Sequence, residues 1–490
     1  MPRGKSEFGL SNTVNTEKKT AGIPTAAELK KALAAVKGTD AIARIQSLFD
    51  ADTFVELGAY TKRSFSEVKN SAKEEEFAGV ICGYGAIAGQ PVFCFAQDSA
   101  RMKGALDAVH AKKICSLYDM AIKNGAPVVG IFDCAGADIF EGIAALAGYG
   151  KIMQAVSAAS GVIPQVAWVA GNCIGSFAAI ASMFDITVRE KGANLYVVSP
   201  ALSGTEDAQS AVTACVAEDK AAAAAYVRHA LSFLPQNSGE GTLVENASDD
   251  LNRVLANYDT EGDVHGLLGV IVDNGDFCEI GAGDAPEIVT ALARIGGVRC
   301  GVLATNYAEN NGRISAIGAR RAARFVDFCD AFCLPLVTLV NSEGFAICAD
   351  NEDAPFAADL AKLAMAYTSS ENAKVTVVLR HGIGGALTLL GSKSVGADVA
   401  YALDDAEIGA LNAASAVAFA ENDKITPDVS REELEEEWKA MLSSPVAAAS
   451  TGEIDDIISM PELRQRICSA LLLLAVKGNV TEYRHTVLPL

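Results

Sequence analysis

Pro127-Val128-Val129-Gly130-Ile131-Phe132-Asp133-Cys134-Ala135-Gly136 is an apolar run that closes in small residues. It returns 208 residues later as Pro335-Leu336-Val337-Thr338-Leu339-Val340-Asn341-Ser342-Glu343-Gly344. Around this pair, Ile87 to Gly136 aligns without a gap onto Ile295 to Gly344. Eleven of these 50 positions are identical: Ile87, Gly89, Ala96, Ala100, Gly104, Ala108, Ala111, Asp119, Pro127, Val129 and Gly136. Both copies run in one order: strand-type residues, a helical pattern, a strand opened by proline, and a turn. Self-similarity at this separation reads as one domain of about 200 residues used twice.

The surrounding pattern agrees. Gly79 to Gly85 and Pro91 to Ala96 read as short strands. Ala105 to Asn124 reads as a helix, with Leu106, Val109, Lys113, Leu117 and Met120 near one stripe. Ile143 to Ser160 is helical, Val166 to Ala170 a buried strand, and Ser176 to Phe184 helical again. Phe54-Val55-Glu56 is echoed by Phe277-Cys278-Glu279, and Gly171 to Ser176 meets Gly382 to Ala386 with the offset slipped by about one. Apolar strands alternating with helices define an α/β class. Residues 203–262 change character and read as the connection between halves. Thr25 to Ser47 reads as helix, as does Ile454 to Val476. Ser430 with Glu433 forms a capping box that opens a helix to Met441. The expected division is 1–39, an arm and helix; 40–262, a first domain with its linker; and 263–490, a second domain.

The chain has 490 residues, with 40 Lys+Arg against 61 Asp+Glu and a formal charge of −21. No basic field is present to coat nucleic acid. An anionic ligand held by backbone N–H groups stays open. Ala470 to Val476 is too short to span a bilayer, and Met1 to Lys19 has no apolar signal region; a cytoplasmic protein is expected. Twelve cysteines lie mostly in apolar stretches without a Cys-x-x-Cys pair, which reads as reduced, buried thiols. Five histidines, none at helical pair spacing, predict no metal site.

Four turns can carry chemistry: Asp133 to Ala137, Gly171 to Ser176, Ser342 to Phe345, and Gly382 to Ala386. Each follows a strand-type run. Unpaired backbone N–H groups beside small residues can bind an anion or stabilise a developing oxyanion. No Gly-x-Gly-x-x-Gly follows the first strand, no Walker loop and no nucleophile elbow exists, and no His–carboxylate spacing suggests a triad. Any reaction would rest on backbone electrostatics and a carried cofactor.

Phe77-Ala78-Gly79-Val80-Ile81-Cys82-Gly83-Tyr84-Gly85, His110-Ala111-Lys112-Lys113, Glu141-Gly142, Leu146-Ala147-Gly148-Tyr149-Gly150, Ser160 to Gln165 and Phe233 to Asn237 together resemble the carboxyltransferase subunit of biotin-dependent acyl-CoA carboxylases and decarboxylases. So do Ala322 to Phe332, Pro335 to Thr338, Gly396 to Val399, Ile454 to Ile458 and His485 to Leu490. The resemblance runs in order over about residues 40–490. It implies two tandem crotonase-like β-β-α superhelix domains, assembled as a homohexamer. It implies an enzyme that moves a carboxyl group between biotin, held on a separate carrier, and the α-carbon of an acyl-CoA. The implied partners are a biotin carboxyl carrier protein or domain and biotin carboxylase or membrane decarboxylase subunits. The first domain would bind the CoA ester at Gly136, Ala137, Gly175 and Ser176, with Ala135 and Gly171 lining it. The second domain, that of a neighbouring protomer, would face biotin with Gly344, Phe345, Gly384, Gly385 and Ala386, with Gly382 lining it. Arg101-Met102-Lys103-Gly104 is not a biotinylation sequence, so biotin comes from a partner.

The chain departs from the family pattern. Cys134-Ala135-Gly136-Ala137-Asp138 stands where the family has Ser-Gly-Gly-Ala-Arg, and Gly175-Ser176-Phe177 where it has Gly-Gly-Ala. Glu343-Gly344-Phe345 replaces Pro-Gly-Phe. Positive φ at Ala135 or Ser176 would cost about 1–2 kcal/mol each. Asp138 would place a charge near an anionic ligand, and Phe177 would narrow the acyl pocket. These changes define the alternative of a non-catalytic assembly subunit in a carboxylase complex.

Overall fold

The structure, a computed structural model, describes residues 25–35, 38–63, 77–198, 213–256, 258–281, 283, 285–346 and 354–477. The chain divides into two compact units, 1–38 and 39–490. The first contains the helix Ala26–Ala35. The second contains two sheets of the same design.

In the first sheet the strands are β1 (Val55–Leu57), β2 (Val80–Ile87), β3 (Gln90–Gln97), β4 (Val128–Cys134), β5 (Gln165–Ile174), β6 (Ile186–Glu190), β7 (Asn194–Tyr196) and β8 (Cys215–Ala217). Their order is β1-β2-β3-β4-β5-β6-β8, with β7 attached to β5. The second holds β9 (Phe277–Glu279), β10 (Ile288–Ile295), β11 (Val298–Thr305), β12 (Leu336–Ser342), β13 (Lys374–Ile383), β14 (Val399–Leu403), β15 (Glu407–Gly409) and β16 (Asp456–Ile458). Its order is β9-β10-β11-β12-β13-β14-β16, with β15 attached to β13. Each sheet opens with three antiparallel strands, β1-β2-β3 or β9-β10-β11, and continues in parallel through β4 and β5 or β12 and β13.

The repeat extends to single hydrogen bonds. Asp107 caps the helix Ala108–Asn124 by accepting from His110 N–H, and Ser315 caps Ala316–Ala331 by accepting from Gly318 N–H. Gln97 Oε1 accepts from Asp133 N–H at 3.1 Å, and Thr305 Oγ1 accepts from Asn341 N–H at 2.6 Å. All of these pairs are 208 apart. Past the helices that follow β4 and β12 the offset becomes 209, as the slipped alignment requires: Asn172 N–H donates to Asp133 Oδ1 at 3.1 Å, and His381 N–H to Asn341 Oδ1 at 2.9 Å.

Apolar burial organises the molecule into three clusters. One lies within the first half, around Phe95, Phe132, Phe177 and Phe184. One lies within the second, around Val302, Leu339, Leu403 and Ile467. The third joins them, putting Trp168 and Ile186 in one cluster with Leu292, Leu303 and Phe325. The helix Lys220–Phe233 runs through this third cluster, burying Ala223, Ala224, Val227, Ala230 and Phe233. Tyr226 donates to the Glu279 carbonyl at 2.6 Å and Arg228 to the Leu48 carbonyl at 2.8 Å. The stretch read as a connection is therefore part of the shared core, because its Ala-rich face fits closely between the two sheets.

Three sequence expectations are corrected. The buried face of Ala108–Asn124 is His110, Ala111, Ile114, Leu117, Tyr118 and Ala121, while Met120 is exposed. The small alanines of the true face add little hydrophobicity, so the larger Val109 and Met120 mark the wrong row. Thr25 to Ser47 is not one helix: Ala26–Ala35 and Asp40–Leu48 are separate helices. Ile454 to Val476 begins with β16, and only Leu463–Leu474 is α-helix. The capping box at Ser430 and Glu433 is present, with both bonds made. His485 to Leu490 lie outside the described residues.

Candidate active site

The four turns form two pairs. β4 and β5 are parallel neighbours with Cys134 opposite Cys173, past a register shift. β12 and β13 repeat this with Ser342 opposite Gly382. Each half thus brings two turns together at the carboxyl ends of adjacent strands, where open α/β sheets bind ligands.

The turns after β4 and β12 share one wiring. Ala135 N–H donates to the Lys103 carbonyl at 3.0 Å, and Glu343 N–H to the Asn311 carbonyl at 3.2 Å. Leu106 N–H donates to the Gly136 carbonyl at 2.9 Å, and Ile314 N–H to the Gly344 carbonyl at 3.0 Å. Asp138 N–H returns to the Leu106 carbonyl at 2.8 Å, and Ala346 N–H to the Ile314 carbonyl at 2.9 Å. Between these bonds the N–H groups of Ala137 and Phe345 have no acceptor among the described residues. Gly136 and Gly344 adopt φ of +113° and +122°, which L side chains rarely take.

The turns after β5 and β13 also match. Gly175 and Gly384 have φ of +61° and +64° and lead into the helices Ser176–Ser182 and Gly384–Leu389. The N–H groups of Ser176, Gly385 and Ala386 have no acceptor among the described residues, as expected in a first helical turn. These helices have 7 and 6 residues. Their contribution is therefore individual N–H donors more than a long-helix dipole. Gly171 is packed onto Asp133; a Cβ there would lie 2.2 Å from Asp133 Oδ1. Gly382 is buried, with Val378 Cγ1 3.0 Å from a built Cβ. Ala135 is exposed at the first turn.

The altered residues do not disturb this frame. Positive φ falls on the glycines, and neither Ala135 nor Ser176 carries it. The expected strain at those two positions is absent. Asp138 is 3% exposed and accepts from Arg63 at 3.0 Å, while Arg63 also lies 3.7 Å from Asp107. Its charge is matched by a buried guanidinium. Phe177 is fully buried, edge-on to Tyr149 at 4.9 Å and Phe132 at 6.0 Å, so it fills the core under the turn. His110 is also fully buried, and desolvation pushes it down to about 3, while Lys112 is exposed. Both behave as parts of a helix face.

At the second turn, Glu343 accepts from Tyr307 Oη at 2.9 Å, Asn311 Nδ2 at 3.0 Å and Arg313 at 2.7 Å. Burial acts to raise this carboxyl, but these bonds outweigh it and hold it below its ordinary value. His381 stacks on Tyr307 at 5.0 Å, and desolvation lowers it. Sequence reasoning missed Arg63, Leu106, Ile314 and the ring around Glu343. Leu106 and Ile314 are 208 apart but not identical, so a count of identities passes over them.

The profile of the carboxyl transferase domain matches residues 37–487. The chain belongs to the carboxyl transferase family. It is 33% identical over 461 residues to the methylmalonyl-CoA carboxyltransferase 12S subunit of Propionibacterium freudenreichii subsp. shermanii, covering 89% of this chain and 88% of that one. It is 32% identical to the methylmalonyl-CoA decarboxylase subunit alpha of Propionigenium modestum, covering 91% and 92%. The crystal structure of a transcarboxylase 12S, solved as a hexamer with methylmalonyl-CoA and methylmalonic acid bound, superposes with a TM-score of 0.85 at 32% identity, covering 94% of this chain and 95% of that one. The pair of crotonase-like domains expected from the sequence is therefore the fold of this carboxyltransferase, and its class is biotin-dependent acyl-CoA carboxyl transfer.

Proposed function

We propose that this carboxyltransferase moves a carboxyl group between carrier-held biotin and the α-carbon of a short-chain acyl-CoA. The reading is carried by one observation: the N–H groups of Ala137 and Phe345, without an acceptor among the described residues, occupy equivalent places in the two halves. Each half presents a donor to one of the two oxygens that gain negative charge in such a transfer.

In the first half, the N–H groups of Ala137 and Ser176 hold the thioester oxygen of the acyl-CoA, and Gly136 and Gly175 supply the backbone geometry. Gly171 and Ala135 keep the approach free of bulk. In the second half, the N–H groups of Phe345, Gly385 and Ala386 hold the ureido oxygen of biotin, with Gly344 and Gly384 shaping the turns and Gly382 lining them. Preorganised donors of this kind are worth roughly 3 kcal/mol each. When bound, biotin supplies the carboxyl acceptor or donor; the protein contributes the oxygen-binding donors and the placement of the two reactants.

The boundaries 40–262 and 263–490 divide the two roles, following the arm and helix of 1–39. The partners are a biotin carboxyl carrier protein or domain, together with biotin carboxylase or membrane decarboxylase subunits. The assembly is a homohexamer. Beside the first turn, Ile139, Ile143 and Leu146 are 81%, 79% and 57% exposed. Such an apolar face supports burial against a second copy. The location we propose is the cytoplasm. Among the described residues no helix is long and apolar enough to cross a membrane.

The test is transfer of a labelled carboxyl group from a carboxylated biotin carrier to acetyl-, propionyl- or butyryl-CoA. Label in the ester supports the reading and names the acyl group. A folded oligomer that binds the carrier yet labels no ester overturns it in favour of an assembly subunit.

A further inference from the structure

Gly136 and Gly344 stand in open space: a Cβ built on either meets no atom within 4 Å. Packing therefore does not hold these two peptides, yet the donors that follow them must be fixed to act. Two kinds of hydrogen bond do the holding. Leu106 and Ile314 N–H groups bind the two glycine carbonyls, as above. The second hold comes from a side chain two residues back. Cys134 Sγ accepts from Gly136 N–H at 3.3 Å and lies 3.2 Å from the Gly136 carbonyl oxygen. Ser342 Oγ accepts from Gly344 N–H at 3.2 Å and donates to the Gly344 carbonyl at 3.2 Å.

A trans peptide points its C=O and the next N–H in opposite directions. Pinning the Gly136 carbonyl from two sides therefore aims the Ala137 N–H, and pinning Gly344 aims the Phe345 N–H. Cys134 and Ser342 are both fully buried, so water does not compete for these bonds. The two residues differ in kind, thiol against hydroxyl, but share the ability to accept and donate through one atom.

We propose that Cys134 and Ser342 are positioning residues for carboxyl transfer. Each clamps the glycine two residues on, so that the following N–H is held ready for a developing oxyanion. The proposal rests on reading these turns as oxyanion sites. It assigns to each half a side chain that touches neither substrate nor biotin and acts through the backbone.

The experiment compares Cys134→Ala with Cys134→Ser, and Ser342→Ala with Ser342→Cys, in the full chain. It reads kcat, KM for the acyl-CoA, melting temperature and deuterium uptake of peptides covering 134–138 and 342–346. The alanine variants are expected to lose about tenfold in kcat, a part of the loss seen when a whole donor is removed. KM should stay within about twofold, since the lost interaction belongs to the transition state. Cys134→Ser and Ser342→Cys should restore kcat, and deuterium uptake should rise only in the alanine variants. Wild-type kcat in both alanine variants would overturn the proposal. So would equal losses in the alanine and conservative variants. If the wild-type chain itself shows no biotin-dependent turnover, the functional reading fails. Deuterium uptake then decides the clamp alone: faster uptake in the alanine variants supports it, and unchanged uptake overturns it.

Discussion

Arg63 donates to Asp138 across 3.0 Å, and both side chains are almost completely buried. Asp138 stands where the resemblance implies an arginine, and a guanidinium from another segment faces it. Removing one member of a buried ion pair leaves the other charge poorly compensated. Arg63→Ala is expected to cost about 3 kcal/mol of stability, and Asp138→Arg, which sets two guanidiniums together, at least as much. Urea unfolding measures both. Wild-type stability in either variant would remove this pair from the account.

Gly136 and Gly171 separate geometry from packing. Gly136→Ala adds a methyl group into open space at φ +113°. It is expected to cost about 1–2 kcal/mol in strain and to lower kcat about a hundredfold by turning the donor. Gly171→Ala instead drives a methyl group onto the Asp133 carboxylate. Its main effect should be a lower melting temperature. Comparing kcat with melting temperature for the two variants checks the distinction.

Phe177 belongs to the core. Phe177→Ala is expected to cost about 3 kcal/mol, the usual loss for a buried phenylalanine. If Phe177 lined the acyl pocket instead, the variant would keep its stability and accept longer acyl chains. Unfolding curves and a series of CoA esters distinguish the two.

Much of the fold was legible because the two halves repeat. Proline-opened strands, glycine turns and the 208 offset give the α/β class and the repeated unit without any tertiary knowledge. The four turns of the candidate site could be read from the sequence, but their pairing across β4–β5 and β12–β13 could not. Which N–H is free within a turn was not legible either, because Leu106, Ile314, Cys134 and Ser342 decide it through bonds that depend on three-dimensional register. The pairing of Arg63 with Asp138 was hidden for the same reason, being 75 residues apart. The buried face of Ala108–Asn124 was misread because alanine, its common residue, carries a weak hydrophobic signal.

Two buried groups predict opposing pH effects. Desolvation lowers His110 to about 3, so between pH 6.5 and 3 the unfolded chain binds the extra proton and stability is lost as pH falls. Desolvation raises Asp185 to about 7, against a bond from Gln165 N–H that lowers it. Between pH 3.8 and 7 the folded chain binds that proton, and this contribution is lost as pH rises. Each slope is at most about 1.4 kcal/mol per pH unit. His110→Asn should lose less stability than wild type when pH falls from 6.5 to 5. Asp185→Asn should gain more than wild type when pH rises from 5 to 7. Melting temperatures across this range check both signs, and unchanged slopes would contradict them.

Carboxyl transfer through the two equivalent donors can be tested by the partial reaction, without any partner subunit. Purified protein is mixed with methylmalonyl-CoA and free biotin, and loss of the acyl carboxyl group is followed for wild type, Gly136→Ala and Gly384→Ala. Turnover is expected to require biotin and to fall about a hundredfold in each variant. Turnover that ignores biotin, or that survives either substitution unchanged, would contradict transfer through these donors.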